Sequence, residues 1–185
     1  KSCAFLAKLN QQMNSEFTMS INISVIQLLE PNFANHVLGI ISKYDIPKHL
    51  IRLEITESMM LETNENVVAK LFYLRNQQVG ISLDDFGTGY SNLSQMAEVV
   101  YDLVKLDRSL IWPYFYEENT KSHAILVNVL NMLLELNVKI VAEGVETKEM
   151  TDYLSEHGIT YLQGYYFSKP LAAADFLNFI NEKNA

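Results

Sequence analysis

The sequence predicts an α/β fold built like a (β/α) barrel, and three observations predict it. Short segments with period-two alternation recur along the chain, and segments of helical length separate most of them. A polar residue stands at or near the end of each strand candidate: Asn22, Glu54, Asp84, Lys105, Glu143 and Gln163. These follow one another at intervals of roughly 20 to 40 positions, near the ~30 residues of a strand–helix–strand unit. Helical connections imply right-handed crossovers and parallel strands, whereas an antiparallel sheet would need short hairpin loops. In such a barrel the C-terminal strand ends share one mouth, where catalytic groups collect.

Taken in order, Lys1 to Asn14 is predicted helical, with Phe5, Leu6 and Leu9 on one side. Phe17 to Ser24 alternates as a strand, Met19, Ile21 and Ile23 against Ser20, Asn22 and Ser24. Pro31 to Lys43 is helical, with Pro31 suited to the first turn. Leu50 to Glu57 is a strand, Asn66 to Gln77 a helix, and Val79 to Asp84 a strand that leads into a Gly-rich loop, Asp85 to Tyr90. Asp102 to Asp107 is a short strand. Ser122 to Asn137 is the clearest helix, with a stripe of Ile125, Leu126, Val129, Leu130, Leu133 and Leu134. Val138 to Glu143 is a strand, and Lys148 to Gly158 a helix ending in a Gly C-cap. Ile159 to Gln163 is the last strand and Ala172 to Lys183 the closing helix. No linker, low-complexity stretch or charge block divides the chain, so residues 1–185 read as one domain.

Composition narrows the function. A chain of 185 residues with 49% hydrophobic content can bury a sizeable core without disulfides. The single cysteine, Cys3, cannot form an intrachain bridge, which suits a reducing, cytoplasmic setting. No apolar run approaches the ~18 residues of a membrane span, and no signal peptide opens the chain. A net charge of −8 without a basic stripe argues against a DNA or RNA polymer as partner. An anionic substrate stays possible when metal ions sit between carboxylates and phosphate.

Asp84 and Asp85 carry the strongest chemical signal. Adjacent residues of a regular strand point to opposite faces, but where the chain turns both can reach one site. Two carboxylates that close repel, and a hard divalent cation such as Mg²⁺ or Mn²⁺ is the natural compensation. Asn22 and Glu54 add an amide oxygen and a carboxylate from neighbouring strands, and Glu143 adds another carboxylate across the ring. Such a set can hold two metals with Asp84 or Asp85 bridging, a geometry that favours in-line attack of water on phosphorus. Lys105 lies on the polar parity of its strand and needs an anionic partner, either a site carboxylate, a substrate phosphate, or Asp102 or Asp107. Gly87 and Gly89 let the chain turn sharply after the aspartates. His36, His49, His123 and His157 lack metal-ligand spacing and read as surface residues. Trp112 and Tyr114 to Tyr116 read as core or as a partner surface, and Tyr165, Tyr166 and Phe167 as packing for the barrel rim.

These segments resemble a known family. EIT followed by ESMM, then DDFGTGYSNLS, LVKLDRSLI, VAEGVET and QGYYFSKPL occur in the order and approximate spacing of the EAL domain, from about Ser2 to Leu171. The resemblance implies a TIM-barrel-like EAL fold and a bacterial phosphodiesterase that cleaves cyclic di-GMP to linear pGpG with a two-metal Mg²⁺ or Mn²⁺ site. It implies Asn22, Glu54 and Asp84 as ligands of the first metal, and Asp84 with Asp85 for the second. Lys105 would orient the attacking water or a phosphate oxygen, Glu143 would be a metal ligand or general base, and Gln163 would help place the site's water or ligands. Glu57 would brace the Asp85–Ser91 loop and Glu146 would be a supporting carboxylate. It further implies a homodimer paired through this loop region and the segment after the fifth strand, and it leaves room for attached cyclase or sensory domains and for membrane anchoring through other domains of the parent protein.

The family's opening strands and the Glu-Ala-Leu segment that names it are absent from these residues. That glutamate would be another ligand of the first metal. Six strand candidates stand where a closed barrel uses eight, and ~250 residues is usual for such a barrel. The expectation is therefore an incomplete barrel, lacking its first strands and open at two edges. It also leaves a second functional class, a catalytically inactive module that acts as a cyclic di-GMP receptor or protein-interaction domain.

Overall fold

Among the described residues, six strands lie side by side in sequence order, and every neighbouring pair runs parallel. The computed structural model describes residues 1–60, 65–88, 101–117 and 120–183. The strands are β1 (Met19–Asn22), β2 (Ile51–Thr56), β3 (Gly80–Phe86), β4 (Leu103–Leu106), β5 (Lys139–Ala142) and β6 (Tyr161–Leu162). The helices are α1 (Ser2–Met13), α2 (Val25–Leu29), α3 (Phe33–Lys43), α4 (Glu57–Met60), α5 (Glu65–Asn76), α6 (Arg108–Tyr116), α7 (Thr120–Glu135), α8 (Lys148–Glu156) and α9 (Ala173–Lys183). Every crossover whose residues are all or mostly described carries a helix, which returns the chain to the same end of the sheet. The result is the predicted α/β architecture, a curled parallel half-barrel with β1 and β6 at its two edges.

Alternation sorts the strand residues between two environments. Leu53 and Ile55 of β2, and Ile81 and Leu83 of β3, are almost fully buried and join the core formed with the helices, among them Leu71, Leu74 and Leu130. Each such side chain contributes about 1.5–3 kcal/mol by leaving water. The opposite parity of β2 and β3 carries Glu54, Ser82 and Asp84, which are also buried, but as polar groups inside the curl. Register sets their heights. Asn22 stands opposite Glu54, Glu54 opposite Ser82, and Thr56 opposite Asp84.

Local chemistry explains where the elements stop. The first strand was expected to run to Ser24, but Ser24 begins α2 instead. Its side chain accepts the Gln27 N–H at 3.3 Å, and the Gln27 side chain accepts the Ser24 N–H at 3.0 Å, a reciprocal capping box. Pro31 does not open the next helix as expected, because Asn32 is its N-cap and α3 starts at Phe33. The expected C-cap after α8 is present. Gly158 takes φ +80, its N–H donates to the Ser155 carbonyl, and the Ile159 N–H donates to that of Leu154.

Other expectations need correcting. Only Leu126, Leu130 and Leu133 of the α7 stripe are buried, while Ile125 and Leu134 face outward at 53% and 43% exposure. A helix laid on one side of a sheet buries a narrower stripe than its apolar residues mark. The last strand shortens to two residues. Tyr165, Tyr166 and Phe167 are exposed rather than packed into a rim. His123 is half-buried, its ring 4.4 Å from that of Tyr114 and its Nε2 without a partner among the described residues, so it is not a surface histidine. The loop residues Gly89, Tyr90 and Ser91 lie outside the described residues.

Candidate active site

The carboxylates converge because β3 does not end where a regular strand would. It was expected to stop at Asp84, yet it continues to Phe86 with a register shift against β4 between Leu83 and Phe86. Asp85 sits in that irregularity with φ 56, a left-handed conformation that costs an L-residue strain but breaks the alternation. The buried Asp84 and the half-buried Asp85 therefore share one site. Asp84, Asp85 and Glu143 each offer an oxygen, and these oxygens all lie within 4.8 Å of one another.

Lys105 of β4 supplies the counter-charge. It is 8% exposed, and its Nζ lies 2.7 Å from Asp84 Oδ1, 2.7 Å from Glu143 Oε1 and 3.5 Å from Glu54 Oε1. The alternative partners are engaged elsewhere. Asp102 accepts from Arg75 Nε at 3.1 Å and from the Ile81 N–H at 2.9 Å, while Asp107 caps α6 by accepting the Ser109 N–H at 2.8 Å. Burial alone would lower the Lys105 pKa, but its hydrogen bonds to Asp84 and Glu143 outweigh that and hold it above the ordinary lysine range.

Among the described residues one ammonium faces four carboxylates, those of Glu54, Asp84, Asp85 and Glu143. Burial raises the Asp85 carboxyl above its ordinary value, helped by the charges of Asp84 and Asp107 and opposed by Lys105. Burial likewise raises Glu143, against the pull of Lys105 and with the push of Asp84 and Asp85. Excess negative charge on hard oxygen ligands in a half-buried pocket is the donor set that a divalent cation fits.

The structure brings Glu54, Asp84, Asp85, Lys105 and Glu143 together. Asn22 stands beside Glu54 by register and is exposed at the end of β1. Glu57, buried, accepts the Gly87 N–H through Oε2 at 2.9 Å and so holds the chain directly after β3. Gly87 takes φ +102, a conformation that favours glycine, and a Cβ there would press into the Leu110 side chain. Gln163 and Glu146 are exposed. Gln163 meets the loop after Glu143 through its backbone, its carbonyl accepting the Val145 N–H at 3.1 Å, and the Glu146 N–H reaches Met150 Sδ. Asp107 was read only as a partner for Lys105, yet its charge acts on Asp85, and its place just past the end of a strand was the signal available for it. Trp112 was read as core or partner surface. It packs half-buried against the core, and its indole also donates to the carbonyl of Gly144, one residue past Glu143, at 2.8 Å.

Comparison with known proteins agrees with this fold. The family model described as "EAL domain" matches residues 1–170. The chain is 38% identical over 167 residues to the probable cyclic di-GMP phosphodiesterase PdeG of Escherichia coli K12, which covers 90% of this chain and 32% of PdeG. The chain thus spans about a third of the length of that relative. Among solved structures, the EAL enzyme Bd1971 in its cAMP- and cyclic-di-GMP-bound form superposes with a TM-score of 0.90 at 30% identity, over 97% of this chain and 49% of that one. Klebsiella pneumoniae BlrP1, solved as a manganese/cy-diGMP complex at pH 6, superposes with a TM-score of 0.81 at 26% identity, over 92% of this chain and 42% of that one.

Proposed function

Because this chain belongs to the EAL domain family, we propose that it is the catalytic part of a metal-dependent phosphodiesterase that hydrolyses cyclic di-GMP to linear pGpG. The observation that carries the proposal is the cluster itself, Asp84, Asp85 and Glu143 with oxygens within 4.8 Å, gathered around Lys105 at strand ends. Asp84, Asp85 and Glu143, with Glu54 and Asn22 alongside, would hold Mg²⁺ or Mn²⁺. The bound cations would supply charge neutralisation at the phosphate and a more acidic water.

The chain's own groups divide the remaining work. Lys105, fixed between Asp84 and Glu143, orients their carboxylates and presents an ammonium toward a phosphate oxygen. Glu143, ion-paired to Lys105 and with an oxygen near those of Asp84 and Asp85, is suited to accept a proton from the attacking water. In the overall change, water oxygen bonds to phosphorus, one ring P–O bond breaks, and the departing 3′ oxygen takes up a proton. Glu57 holds the turn after Asp85, while Gln163 and Glu146 have supporting places at the rim. The same proposal takes residues 1–185 as one EAL unit acting in the cytoplasm, paired as a homodimer, within a protein that carries sensory or cyclase domains. No described helix is long and apolar enough to cross a membrane.

Lys105 also balances part of the carboxylate charge without a metal, which keeps a second reading in play, a cyclic di-GMP receptor that does not turn over. The deciding experiment incubates the full-length protein with cyclic di-GMP and Mg²⁺ or Mn²⁺ and follows pGpG by chromatography. Product supports the enzyme. Nucleotide binding by calorimetry without product favours the receptor, and absence of both overturns the two readings together.

A further inference from the structure

Glu143 lies immediately after β5, where regular strand hydrogen bonding gives out, so something other than the strand must fix its carboxylate. Three consecutive backbone groups are held there by three different elements. The Glu143 N–H donates to the Leu106 carbonyl of β4 at 3.0 Å, and the Val145 N–H donates to the Gln163 carbonyl beside β6 at 3.1 Å. Between them the Gly144 carbonyl accepts the Trp112 indole N–H of α6 at 2.8 Å. Gly144 takes φ +69, and a Cβ on it would stand 2.6 Å from Arg108 Cβ and 3.1 Å from Trp112 Nε1. The backbone therefore passes close against α6, and the glycine is what permits it.

Trp112 is itself well held. The Arg108 guanidinium carbon lies 4.8 Å from the centre of its ring, and Tyr116 meets it edge-on at 6.0 Å. Its polar atom points inward at the loop, while its ring is clamped by neighbours on the same helix. A tryptophan placed for packing alone has no need to direct its one donor at the peptide next to an ion-paired carboxylate.

We propose that Trp112 is a positioning residue. Through its hydrogen bond to Gly144 it fixes the loop that aims Glu143 at Lys105 and at the oxygens of Asp84 and Asp85. This rests on the phosphodiesterase reading, with Glu143 a ligand or base there. Without the indole N–H, Gly144 is free to rotate between its two anchored neighbours, and Glu143 loses its fixed direction. Partners one step removed from a metal ligand typically change affinity or activity by about 10–100-fold when removed.

The test compares wild-type full-length protein with Trp112→Phe, which keeps an aromatic ring and loses the donor, and Trp112→His, whose ring N–H can partly replace it. Three quantities are read: Mn²⁺ affinity by calorimetry without nucleotide, kcat and KM for cyclic di-GMP, and melting temperature. The expected result for Trp112→Phe is Mn²⁺ affinity and kcat each lowered about tenfold or more, with KM within twofold and little change in melting temperature, and partial recovery in Trp112→His. Unchanged Mn²⁺ affinity and kcat overturn the proposal, including when the melting temperature falls, since that pattern marks a packing role. If the wild type binds Mn²⁺ but yields no pGpG, the phosphodiesterase reading fails while the Mn²⁺ titrations still decide the role of Trp112. If Trp112→Phe does not fold, benzothienylalanine at position 112 removes only the N–H, and the same two outcomes apply.

Discussion

Replacing Lys105 with methionine removes the ammonium and keeps most of the side chain's length and volume. In the wild type that one group serves Asp84 at 2.7 Å, Glu143 at 2.7 Å and Glu54 at 3.5 Å. The side chains are shielded, Lys105 at 11% exposure against 12% for Asp84, 17% for Glu143 and 9% for Glu54, so solvent screening is weak. Breaking a buried ion pair from one side costs about 3–5 kcal/mol, because the remaining charge stays buried and unpaired. Three pairs share one cation here, so the costs do not add. The carboxylates can also take up protons, which places the expected loss near the lower end, about 3 kcal/mol at neutral pH in the presence of chelator. Urea denaturation of Lys105→Met against wild type measures it. The deficit should shrink as the pH falls and the carboxylates are neutralised, and saturating Mn²⁺ should recover part of it. A variant as stable as wild type in chelator at neutral pH would refute the reasoning, because the four carboxylates would then not need their cation.

Asp84→Asn in the full-length protein should lower turnover by more than about 100-fold while leaving the melting temperature close to wild type; pGpG chromatography and calorimetry check it, and retained turnover contradicts a central role for Asp84. Gly87→Ala should destabilise by about 1–3 kcal/mol, since the new methyl meets the Leu110 side chain and φ is +102; an unchanged urea midpoint would mean that the turn is not packed this way. In chelator, Glu143 should produce a stability that declines with pH. Its folded pKa lies above the ordinary 4.5, so it holds more protons folded than unfolded, and its contribution is complete below 4.5 and lost as pH rises through the folded value. The stability of wild type minus that of Glu143→Gln should therefore fall across this window, and a difference that rises with pH contradicts the raised pKa.

The six strands and six of the nine described helices were legible because apolar periodicity is a local signal, whereas the short helices α2, α4 and α6 were not predicted. Their ends were less legible where side chains decide. The exchange between Ser24 and Gln27 ended β1 early, and Asn32 rather than Pro31 opened α3. The site residues at strand ends, Glu54, Asp84, Lys105 and Glu143, could be listed from parity alone. Parity could not show that Lys105 turns to Asp84 and Glu143 rather than to Asp102 and Asp107, since that choice depends on Arg75 and on the cap of α6. Nor could it show which way the exposed rings of Tyr165, Tyr166 and Phe167 point, because exposure depends on what packs above a loop.

The two places where carboxylates are aimed share one support. Asp84 and Asp85 are followed by Gly87, against which Leu110 packs, and Glu143 is followed by Gly144, against which Arg108 and Trp112 pack. All three packing residues lie in the first five positions of α6, and the N-cap of that helix is Asp107, whose charge is felt by Asp85. Like charges held within 4.8 Å push apart, so their positions must be imposed by backbone that cannot relax. Glycines with positive φ, closed over by side chains of one helix, provide that restraint on both sides of the site. A shift of α6 along its axis would therefore disturb both turns together, and the carboxylates of β3 and the loop after β5 would lose their common focus as a unit rather than one at a time.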